Sequence, residues 1–482
     1  MDIAVVRYLA GKLFVAYAGT MLIPFTAALI LREPAFAFAV TAFFTFALGG
    51  VLTLTGNAEG RWGTRESFAM VTFTWLTAGF LAGVPFWLGG IASFENAMFE
   101  GVSGLTCTGA TIFSSVENLP RSVLLWRSLT HYLGGLGIIV FFVLFMPKTG
   151  SPANLLRAET SGPEKTKVMP RFKDAALIIW WIYLAFTLTE ILLLKFAGRL
   201  PLFDAVNHAM SNVATGGFQV RDAGVKAYGS AAAEIITVVF MILGGVNFTL
   251  YVHFLRKGVR DALRDTELRF YLILLAAGWF FVAAALVTGG GRTLQAALPE
   301  SVFQVTAMMT TTGFTGADYV NWPPFAVMTV IILMFVGGCA GSTAGGLKAA
   351  RLLILARMCR AHLKQMVHPQ LVAEVRMSGQ PVSDSVQRGV FLFFTIYLGV
   401  FAAAAWLLAA VGLPPLEAAG AVLASLGNVG MGLGTIGVAG HFAAVGAAGK
   451  LILTVCMVLG RLEVMTLLVL MQPEFWRRRR NW

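Results

Sequence analysis

Long apolar segments recur along this chain and are separated by short polar connections. Ten of them are long enough to cross a bilayer as a helix, which takes about 20 apolar residues. They lie near 9–31, 35–56, 66–90, 122–146, 175–197, 231–255, 268–289, 325–356, 389–411 and 448–471. Four shorter apolar segments, of the length typical of re-entrant helices, lie near 95–106, 203–214, 299–311 and 416–427. The pattern therefore predicts a polytopic membrane protein.

The order of long and short segments repeats along the chain. After two leading spans, a span, a half-span, a glycine loop and a second span follow one another four times. We therefore predict an all-α membrane protein with two leading transmembrane helices and four pseudo-fourfold repeats of transmembrane helix, re-entrant pore helix, filter loop and transmembrane helix. The predicted units are a leading two-helix segment at 1–62 and pore repeats at 63–150, 151–262, 263–370 (with a gating loop) and 371–482.

Each half-span ends at a loop of small residues around a central glycine. A carboxylate precedes that glycine by 12 to 14 residues, near the start of the half-span, where it suits the positive end of a helix dipole. The half-span helix then points its negative end at the loop, near the bilayer midplane. The carboxylates are Glu95, Asp204, Glu300 and Glu417, and the predicted central glycines are Gly109, Gly216, Gly313 and Gly430.

One such loop is explained equally well by a plain turn, but four in phase favour a ring of backbone carbonyls around a cavity. Neutral oxygen ligands suit a weakly hydrated monovalent cation better than a divalent one. Further oxygens come from the hydroxyl groups of Thr106, Thr108, Thr215, Thr311 and Thr312. The predicted cation-binding residues are Cys107, Thr108, Gly109, Ala214, Thr215, Gly216, Thr311, Thr312, Gly313, Asn428, Val429 and Gly430.

A second glycine-rich segment, at 337–348, interrupts the eighth span. Glycine costs about 1 kcal/mol per residue in a helix interior, so we expect the helix to break there into a flexible loop. The alternative is a small-residue packing face between helices. Lys348 ends the segment and marks its cytoplasmic side in this interpretation. We interpret the loop as a movable constriction below the filter. The predicted gate residues are Gly341, Ser342, Thr343, Ala344, Gly345 and Gly346.

Arg461 lies in the middle of the last predicted span. A charge at that depth costs about 2.5–3.5 kcal/mol or more, so we expect Arg461 to face the protein interior or water. Glu463, two residues later, points to another side of the same predicted helix. One interpretation is a structural ion pair with a carboxylate on another helix. The other is a positive charge below the filter that hinders cation passage.

The composition of the 482 residues agrees with a membrane protein, since 57% are hydrophobic and 12% are charged, against roughly 25% charged in soluble domains. Basic residues cluster in alternate connections near 148–173, 256–264, 348–364 and 477–480. The positive-inside rule assigns these connections and both termini to the cytoplasm. The net charge of +12 then serves topology and contact with membrane lipids. Because it is spread over separate loops, nucleic-acid binding is disfavoured.

The sequence gives little support to other chemistry. The four cysteines have no CxxC spacing, so we expect neither a disulfide nor a thiolate metal site. The first helix lacks the basic region and cleavage site of a signal peptide and is expected to be retained. An enzyme is disfavoured because the sequence contains no HExxH motif, no credible GxSxG motif and no paired intramembrane carboxylates.

These features together resemble the Trk/Ktr/HKT superfamily of potassium transporters, and its TrkH-type membrane subunits most closely. The resemblance covers nearly the whole chain. Two leading spans are typical of the Trk type, whereas Ktr-type subunits lack them. The segments that carry the resemblance are Ser103–Thr111, His131–Gly137, Gly338–Gly346 and Leu459–Glu463.

The resemblance implies K⁺ uptake across the cytoplasmic (inner) membrane by a homodimer with one pathway per subunit. It also implies cytosolic nucleotide-binding regulatory subunits of the TrkA type, with K⁺ as the transported ion and no covalent cofactor. In the family the filter glycines coordinate K⁺, the broken span is the gate, and the last-span Arg, here Arg461, hinders the pore. Relatives that favour Na⁺ have Ser at the first filter glycine, so Gly109 favours K⁺. The chain departs from the family at Cys107, Ala214 and Val429, where a hydroxyl residue is frequent, but the backbone carbonyls are kept.

An alternative function is symport of K⁺ with H⁺ or Na⁺. Coupling of this kind requires a titratable group near the filter. In the sequence only Glu100 and His131 are placed for that role.

Overall fold

The computed structural model describes residues 1–58, 63–137, 172–371, 373–436 and 441–476. Most of these residues are helical, as predicted. The strands among the described residues form one short antiparallel hairpin of β1 (Arg376–Met377) and β2 (Gln380–Pro381). The helices are α1 (Ile3–Leu31), α2 (Phe36–Leu54), α3 (Thr64–Leu88), α4 (Phe94–Leu105), α5 (Arg121–Gly135), α6 (Phe172–Phe196), α7 (Leu202–Val213), α8 (Ala231–Gly244), α9 (Phe248–Lys257), α10 (Val259–Ala262), α11 (Thr266–Thr288), α12 (Leu294–Met309), α13 (Pro324–Val336), α14 (Ala349–Val367), α15 (Asp384–Ala410), α16 (Pro415–Leu426), α17 (Ala447–Arg461), α18 (Val464–Met471) and α19 (Pro473–Trp476).

Six of the described helices are long and apolar enough to cross a membrane unaided, namely α1, α2, α3, α6, α11 and α15. Two further candidates are bent pairs, in which α8 meets α9 at 89° and α17 meets α18 at 107°. Large apolar side chains such as Phe44, Ile273 and Trp406 are exposed on the outside. A lipid-facing exterior of this kind agrees with a multi-pass membrane protein.

The leading hairpin of α1 and α2 packs against the first repeat. Glu33, in the connection between the two helices, accepts hydrogen bonds of 2.8 Å from the backbone N–H groups of Arg121 and Ser122. A carboxylate at this point satisfies N–H groups at the start of α5 and suits the helix dipole. Trp126, one turn later, donates to the carbonyl of Ala82 on α3. The leading segment thus helps to orient α5.

The remaining helices form four repeats of outer helix, half-helix, loop and inner helix, which confirms the predicted fold class. The outer helices are α3, α6, α11 and α15, and the half-helices that follow them are α4, α7, α12 and α16. The inner helices begin at α5, α8, α13 and α17. In each repeat the half-helix packs against its own outer helix. The described loops bring the four half-helix ends together.

The third inner helix is broken as predicted, because α13 ends at Val336 and α14 begins at Ala349. The spans predicted at 231–255 and 448–471 each contain a sharp bend that the sequence analysis did not predict. In the first repeat α5 ends at Gly135, inside the predicted span 122–146, of which 138–146 lie outside the described residues. In the second, third and fourth repeats the described residues therefore show an interrupted inner helix, whereas the sequence predicted one interruption.

The third half-helix also begins earlier than predicted. α12 starts at Leu294 instead of 299, so Glu300 lies in its second turn and pairs with Arg292. Glu95, Asp204 and Glu417 lie in the first turns of their half-helices, as predicted. The basic residues predicted near 148–171 and 477–480 lie outside the described residues.

Candidate functional site

Backbone conformation marks the same point in all four loops. Each half-helix is followed by one capping residue, then by a residue with left-handed backbone, and two positions later by a glycine with positive φ. The left-handed residues, with φ between 50° and 56°, are Cys107, Thr215, Thr311 and Asn428. The glycines, with φ between 66° and 97°, are Gly109, Gly217, Gly313 and Gly430. Residues with side chains rarely adopt such angles, so the shared pattern defines one common register for the loops.

The four loops touch one another in a closed ring. A side-chain carbon added at Gly109 would overlap the carbonyl oxygen of Gly216 in the second loop. The equivalent contact recurs from the second loop to the third, from the third to the fourth and from the fourth to the first. These pairs are Gly217 with Thr312, Gly313 with Val429 and Gly430 with Thr108. Bare backbone is needed at each junction, and the ring closes in chain order.

The second loop differs by one residue from the predicted alignment. The sequence analysis aligned Gly216 with Gly109, but it is Gly217 that has the positive φ and the matching ring contact. Gly216 instead occupies the position of Thr108, whose carbonyl meets the neighbouring glycine. The predicted alignment is therefore wrong, and Gly217 belongs to the ring.

The same shift moves Ala214 out of the ring. Ala214 caps the end of α7, as Thr106 caps the end of α4. Two consecutive glycines hid the register in the sequence. The spacing from the half-span carboxylate would have revealed it, because Gly217 follows Asp204 by 13 residues, the same spacing as in the third and fourth repeats.

Threonine hydroxyls of the first and third loops turn back into the protein. The hydroxyls of Thr106 and Thr108 lie 2.7 Å apart, and those of Thr310 and Thr312 lie 2.8 Å apart. Thr106 and Thr310 donate in turn to carbonyls one turn back on their half-helices. The backbone carbonyls are therefore the groups left for the centre of the ring, as in a binding site built from neutral oxygens.

Asn428 links the fourth loop to the first. Its Nδ2 donates to the hydroxyl of Thr108 at 2.9 Å and to the carbonyl of Met457 on α17 at 3.0 Å. The junction that closes the ring therefore has a side-chain hydrogen bond in addition to its backbone contact.

His131 on α5 fixes the second loop to the first half-helix. Its Nδ1 lies 2.7 Å from the carbonyl oxygen of Gly104, and its Nε2 accepts a hydrogen bond of 3.1 Å from the backbone N–H of Phe218. These contacts use both ring nitrogens of a neutral imidazole and assign the proton to Nδ1. The ring of Phe218 also packs on the imidazole, with centroids 4.1 Å apart.

Arg127 and Glu100 form a buried ion pair beside these loops. Nε of Arg127 lies 2.9 Å from Oε1 of Glu100, and the two side chains are 2% and 0% exposed. The carboxylate also accepts from the hydroxyl of Thr111, and Arg127 donates to the carbonyl of Gln219. The pair therefore joins the first loop to the second. Glu100 and His131, the residues named for symport, both have hydrogen bonds that hold the loops in position.

The predicted gating loop packs directly against the ring. The N–H of Gly345 donates to the hydroxyl of Thr311 at 2.7 Å, and an added carbon at Gly345 would overlap the carbonyl of Gly427. The hydroxyl of Thr343 lies 3.1 Å from that of Thr215. The loop thus contacts the second, third and fourth filter loops at once, as a constriction at the end of the ring requires.

Arg461 is the last residue of α17 and does not lie in the middle of a helix as predicted. The break follows at Glu463, which has a φ of 58°. The guanidinium donates to the carbonyls of Thr343 at 2.8 Å and of Gly135 at 3.0 Å, and also to that of Gly134. A cation suits the free carbonyls at the end of α5. In the described part of the chain Arg461 has no carboxylate partner, so a structural ion pair is not supported.

Lys348 is buried at the end of the gating loop, and its place on the cytoplasmic side stays a prediction. Its backbone has a φ of 72°, and its ammonium group donates to the carbonyl of Ala344. Nearby, Arg351 pairs with Glu463 at 2.7 Å. Charged groups inside a membrane protein are held by partners of this kind.

The sequence analysis missed Glu267, in the first turn of α11. Its Oε1 accepts from the N–H groups of Ala340 at 2.6 Å and Ala350 at 3.1 Å. These residues flank the gating loop on both sides. Since α14 has no side-chain cap of its own, Glu267 supplies the negative charge that suits its N-terminus. The signal was present in the sequence, as a carboxylate just before an apolar span.

Comparison with known proteins gives a consistent result. The model of the TrkH family, described as cation transport protein, matches residues 34–478. The Trk system potassium uptake protein TrkH of Salmonella typhimurium is 36% identical, covering 99% of this chain and 100% of that protein. The Trk system potassium uptake protein TrkI of Halomonas elongata is 37% identical, covering 86% and 84%. The crystal structure of the potassium transporter TrkH from Vibrio parahaemolyticus matches with a TM-score of 0.89 at 32% identity, covering 99% of this chain and 100% of that one.

Proposed function

This chain belongs to the TrkH family of cation transport proteins, and on that premise we propose that it takes up K⁺ across the cytoplasmic membrane through the ring of loops. Membership in a transporter family agrees with the sequence analysis, which disfavoured an enzyme. The observation that carries the proposal is the closed ring of four loops with equivalent backbone angles. In such a ring, carbonyl oxygens replace the water shell of K⁺. The names of the relatives support K⁺ as the ion.

The residues that bind K⁺ in this proposal are the three consecutive residues around each junction. Gly217 is added to the predicted set, and Ala214 becomes a capping residue. The full set is Cys107, Thr108, Gly109, Thr215, Gly216, Gly217, Thr311, Thr312, Gly313, Asn428, Val429 and Gly430.

The gate of the proposed pathway is the loop at 341–346 together with Arg461. In the described conformation the loop is hydrogen-bonded to the ring, and the guanidinium holds the carbonyl of Thr343. A positive charge at the end of the ring opposes a passing cation. Opening requires these hydrogen bonds to break. The membrane potential then drives K⁺ inward, at about 2.3 kcal/mol per charge and 100 mV.

Regulation in this proposal comes from outside the chain. The relatives are named as parts of a Trk system, which supports a multi-component transporter. We assign to it a homodimer, a cytosolic nucleotide-binding subunit of the TrkA type, and both termini in the cytoplasm. The same proposal keeps the predicted leading segment at 1–62 and the four pore repeats that follow it. The basic connections near 256–264 and 348–364 supply its cytoplasmic surface.

Replacement of Gly109 by Ser tests the proposed filter. The added side chain would displace the carbonyl of Gly216 and occupy a left-handed backbone, with a φ of 77°. We expect the K⁺-over-Na⁺ permeability ratio in proteoliposomes to fall about tenfold, which corresponds to about 1.4 kcal/mol of differential binding. The matched control is Gly90→Ser, because Gly90 has a φ of 67° and open space around it. An unchanged ratio in Gly109→Ser would argue against the filter assignment.

A further inference from the structure

The proposed ion path does not use the buried carboxyl group of Glu190. Glu190 lies on α6, inside the candidate span Ala176–Phe196, and is 0% exposed. Its Oε1 accepts a hydrogen bond of 2.6 Å from Nδ2 of Asn212, whereas its Oε2 is buried without a hydrogen-bond partner. None of the ion pairs formed by the described residues includes Glu190.

Asn212, at the end of α7, also has a buried oxygen without a hydrogen-bond partner. Its Nδ2 donates both to Glu190 and to the carbonyl of Thr237 at 3.0 Å, while its Oδ1 is buried without a donor. Two side chains in contact therefore have two unpartnered acceptors and no donor left. A hydrogen on Oε2 turns one of these acceptors into a donor. It also removes an unpaired charge from a site where an ionised carboxylate costs far more than a neutral acid.

We propose that Glu190 is a proton-binding site, with the proton on Oε2, and that the neutral acid and Asn212 form a pair that positions the second filter loop. The link to the loop is short, because the carbonyl of Asn212 accepts from the N–H of Thr215 at 2.8 Å. Thr215 begins the left-handed turn that leads to the ring glycine Gly217. Loss of the proton places an unpaired charge against the last turn of α7, on which this loop is built.

The other titratable group of this cluster is His208 on α7. Its Nε2 lies 2.9 Å from the hydroxyl of Thr237, which itself donates to the carbonyl of Ala233. The hydroxyl therefore accepts from His208, which carries its proton on Nε2 and stacks on Phe314 of the third loop. None of the other charged or titratable side chains described on the elements packed against α6 contacts the carboxyl of Glu190. They are Arg121, Arg127, His131 and Tyr132 on α5, Asp204 on α7, Glu234 on α8, and Tyr251, His253 and Arg256 on α9.

Infrared difference spectroscopy tests the proton directly. The spectrum of the wild-type protein in lipid at pH 7, minus that of Glu190→Gln, is expected to contain the carbonyl-stretch band of one protonated carboxylic acid, shifted in D₂O. The control is Glu95→Gln, which removes an exposed carboxylate at the start of α4 and is expected to change only carboxylate bands. Carboxylate bands alone in the Glu190 difference would overturn the proposal. Should the variant fold poorly, Asn212→Leu gives a second test, because loss of the hydrogen bond from Nδ2 to Oε1 should shift the same band.

Uptake measurements test the positioning role, and this arm alone rests on the proposed K⁺ transport. At pH 7 we expect Glu190→Gln, whose amide replaces the acid as donor, to keep uptake close to that of the wild type. In Glu190→Ala, which removes the donor, uptake should be severalfold lower. Equal losses in the Gln and Ala variants, both eluting as folded protein, would overturn the positioning role. Absence of uptake in every protein, with the infrared band present, would reject the proposed function and leave the proton site standing.

Discussion

In the second repeat Gly217 makes the contact with the neighbouring loop. In the first and third repeats the contacting glycine directly follows a threonine, and in the second repeat that position is occupied by Gly216. A side chain at Gly217 would overlap the carbonyl of Thr312 and occupy a φ of 97°. We therefore expect Gly217→Ser to lower K⁺-over-Na⁺ selectivity in proteoliposome flux about as much as Gly109→Ser. Replacement of Gly216 has another effect, because its side chain would run into the ring of His131.

The control for this experiment is Gly229→Ser, since Gly229 has a φ of 59° but no atom near an added carbon. It should lose some stability, by about 1 kcal/mol for the strained backbone, and keep its selectivity. Normal selectivity in Gly217→Ser would show that the loops do not share the register described here.

The buried pair of Arg127 and Glu100 makes a separate prediction about stability. Arg127→Gln leaves a buried carboxylate without its cation, which costs about 3–5 kcal/mol. Arg221→Gln is the matched control, because Arg221 pairs with Asp204 but is 43% exposed, and an exposed pair contributes about 0–1 kcal/mol. Unfolding in detergent, followed by tryptophan fluorescence, should separate the two variants. Equal midpoints would mean that the buried pair does not brace the loops.

At the scale of elements, the repeats and the break at 337–348 followed from the sequence because apolar length and glycine density are local signals. The α17–α18 break instead follows from tertiary contacts. The α17–α18 break at Glu463 contains no glycine, and it is held by the ion pair with Arg351 and by the contacts of Arg461 with α5 and the gating loop. Propensity alone could not predict it. The register at Gly217 has a different explanation. Either of two consecutive glycines satisfies the local turn, and only the spacing from Asp204 distinguishes them.

The hydrogen bonds between the gating loop and its neighbours predict how Arg461 acts. In Arg461→Ala the carbonyl of Thr343 loses its donor, so the loop should open more often. A Ser342→Cys reporter, in a Cys359→Ser background because the other three cysteines are buried, should then react severalfold faster with a polar thiol reagent. K⁺ uptake should rise as well.

The matched control is Lys450→Ala on the same helix, because Lys450 donates to Ala443 and not to the gating loop. It should leave both the reaction rate of the reporter and the uptake unchanged. If Arg461→Ala also leaves both unchanged, the guanidinium does not hold the gate.

At the scale of the whole molecule, four hairpins with different sequences build one ring, and the proposed gating loop of the third repeat is hydrogen-bonded to the ring and to Arg461 of the fourth. Arg461 of the fourth repeat contacts the first repeat and the gating loop of the third. Movement of one inner helix must therefore be transmitted to others through shared hydrogen bonds. The proposed regulatory subunit needs to shift only part of this network to change flux.

Cation competition in vesicles tests the account most directly. Purified protein is reconstituted in proteoliposomes with a negative interior, and uptake of isotopic K⁺ is followed with unlabelled K⁺, Rb⁺, Cs⁺ or Na⁺ outside. A ring of carbonyls sized for a dehydrated K⁺ predicts uptake above that of empty vesicles, suppressed by K⁺ and Rb⁺ and little affected by equal Na⁺. Suppression by Na⁺ as strong as that by K⁺, or no uptake above empty vesicles, would contradict it.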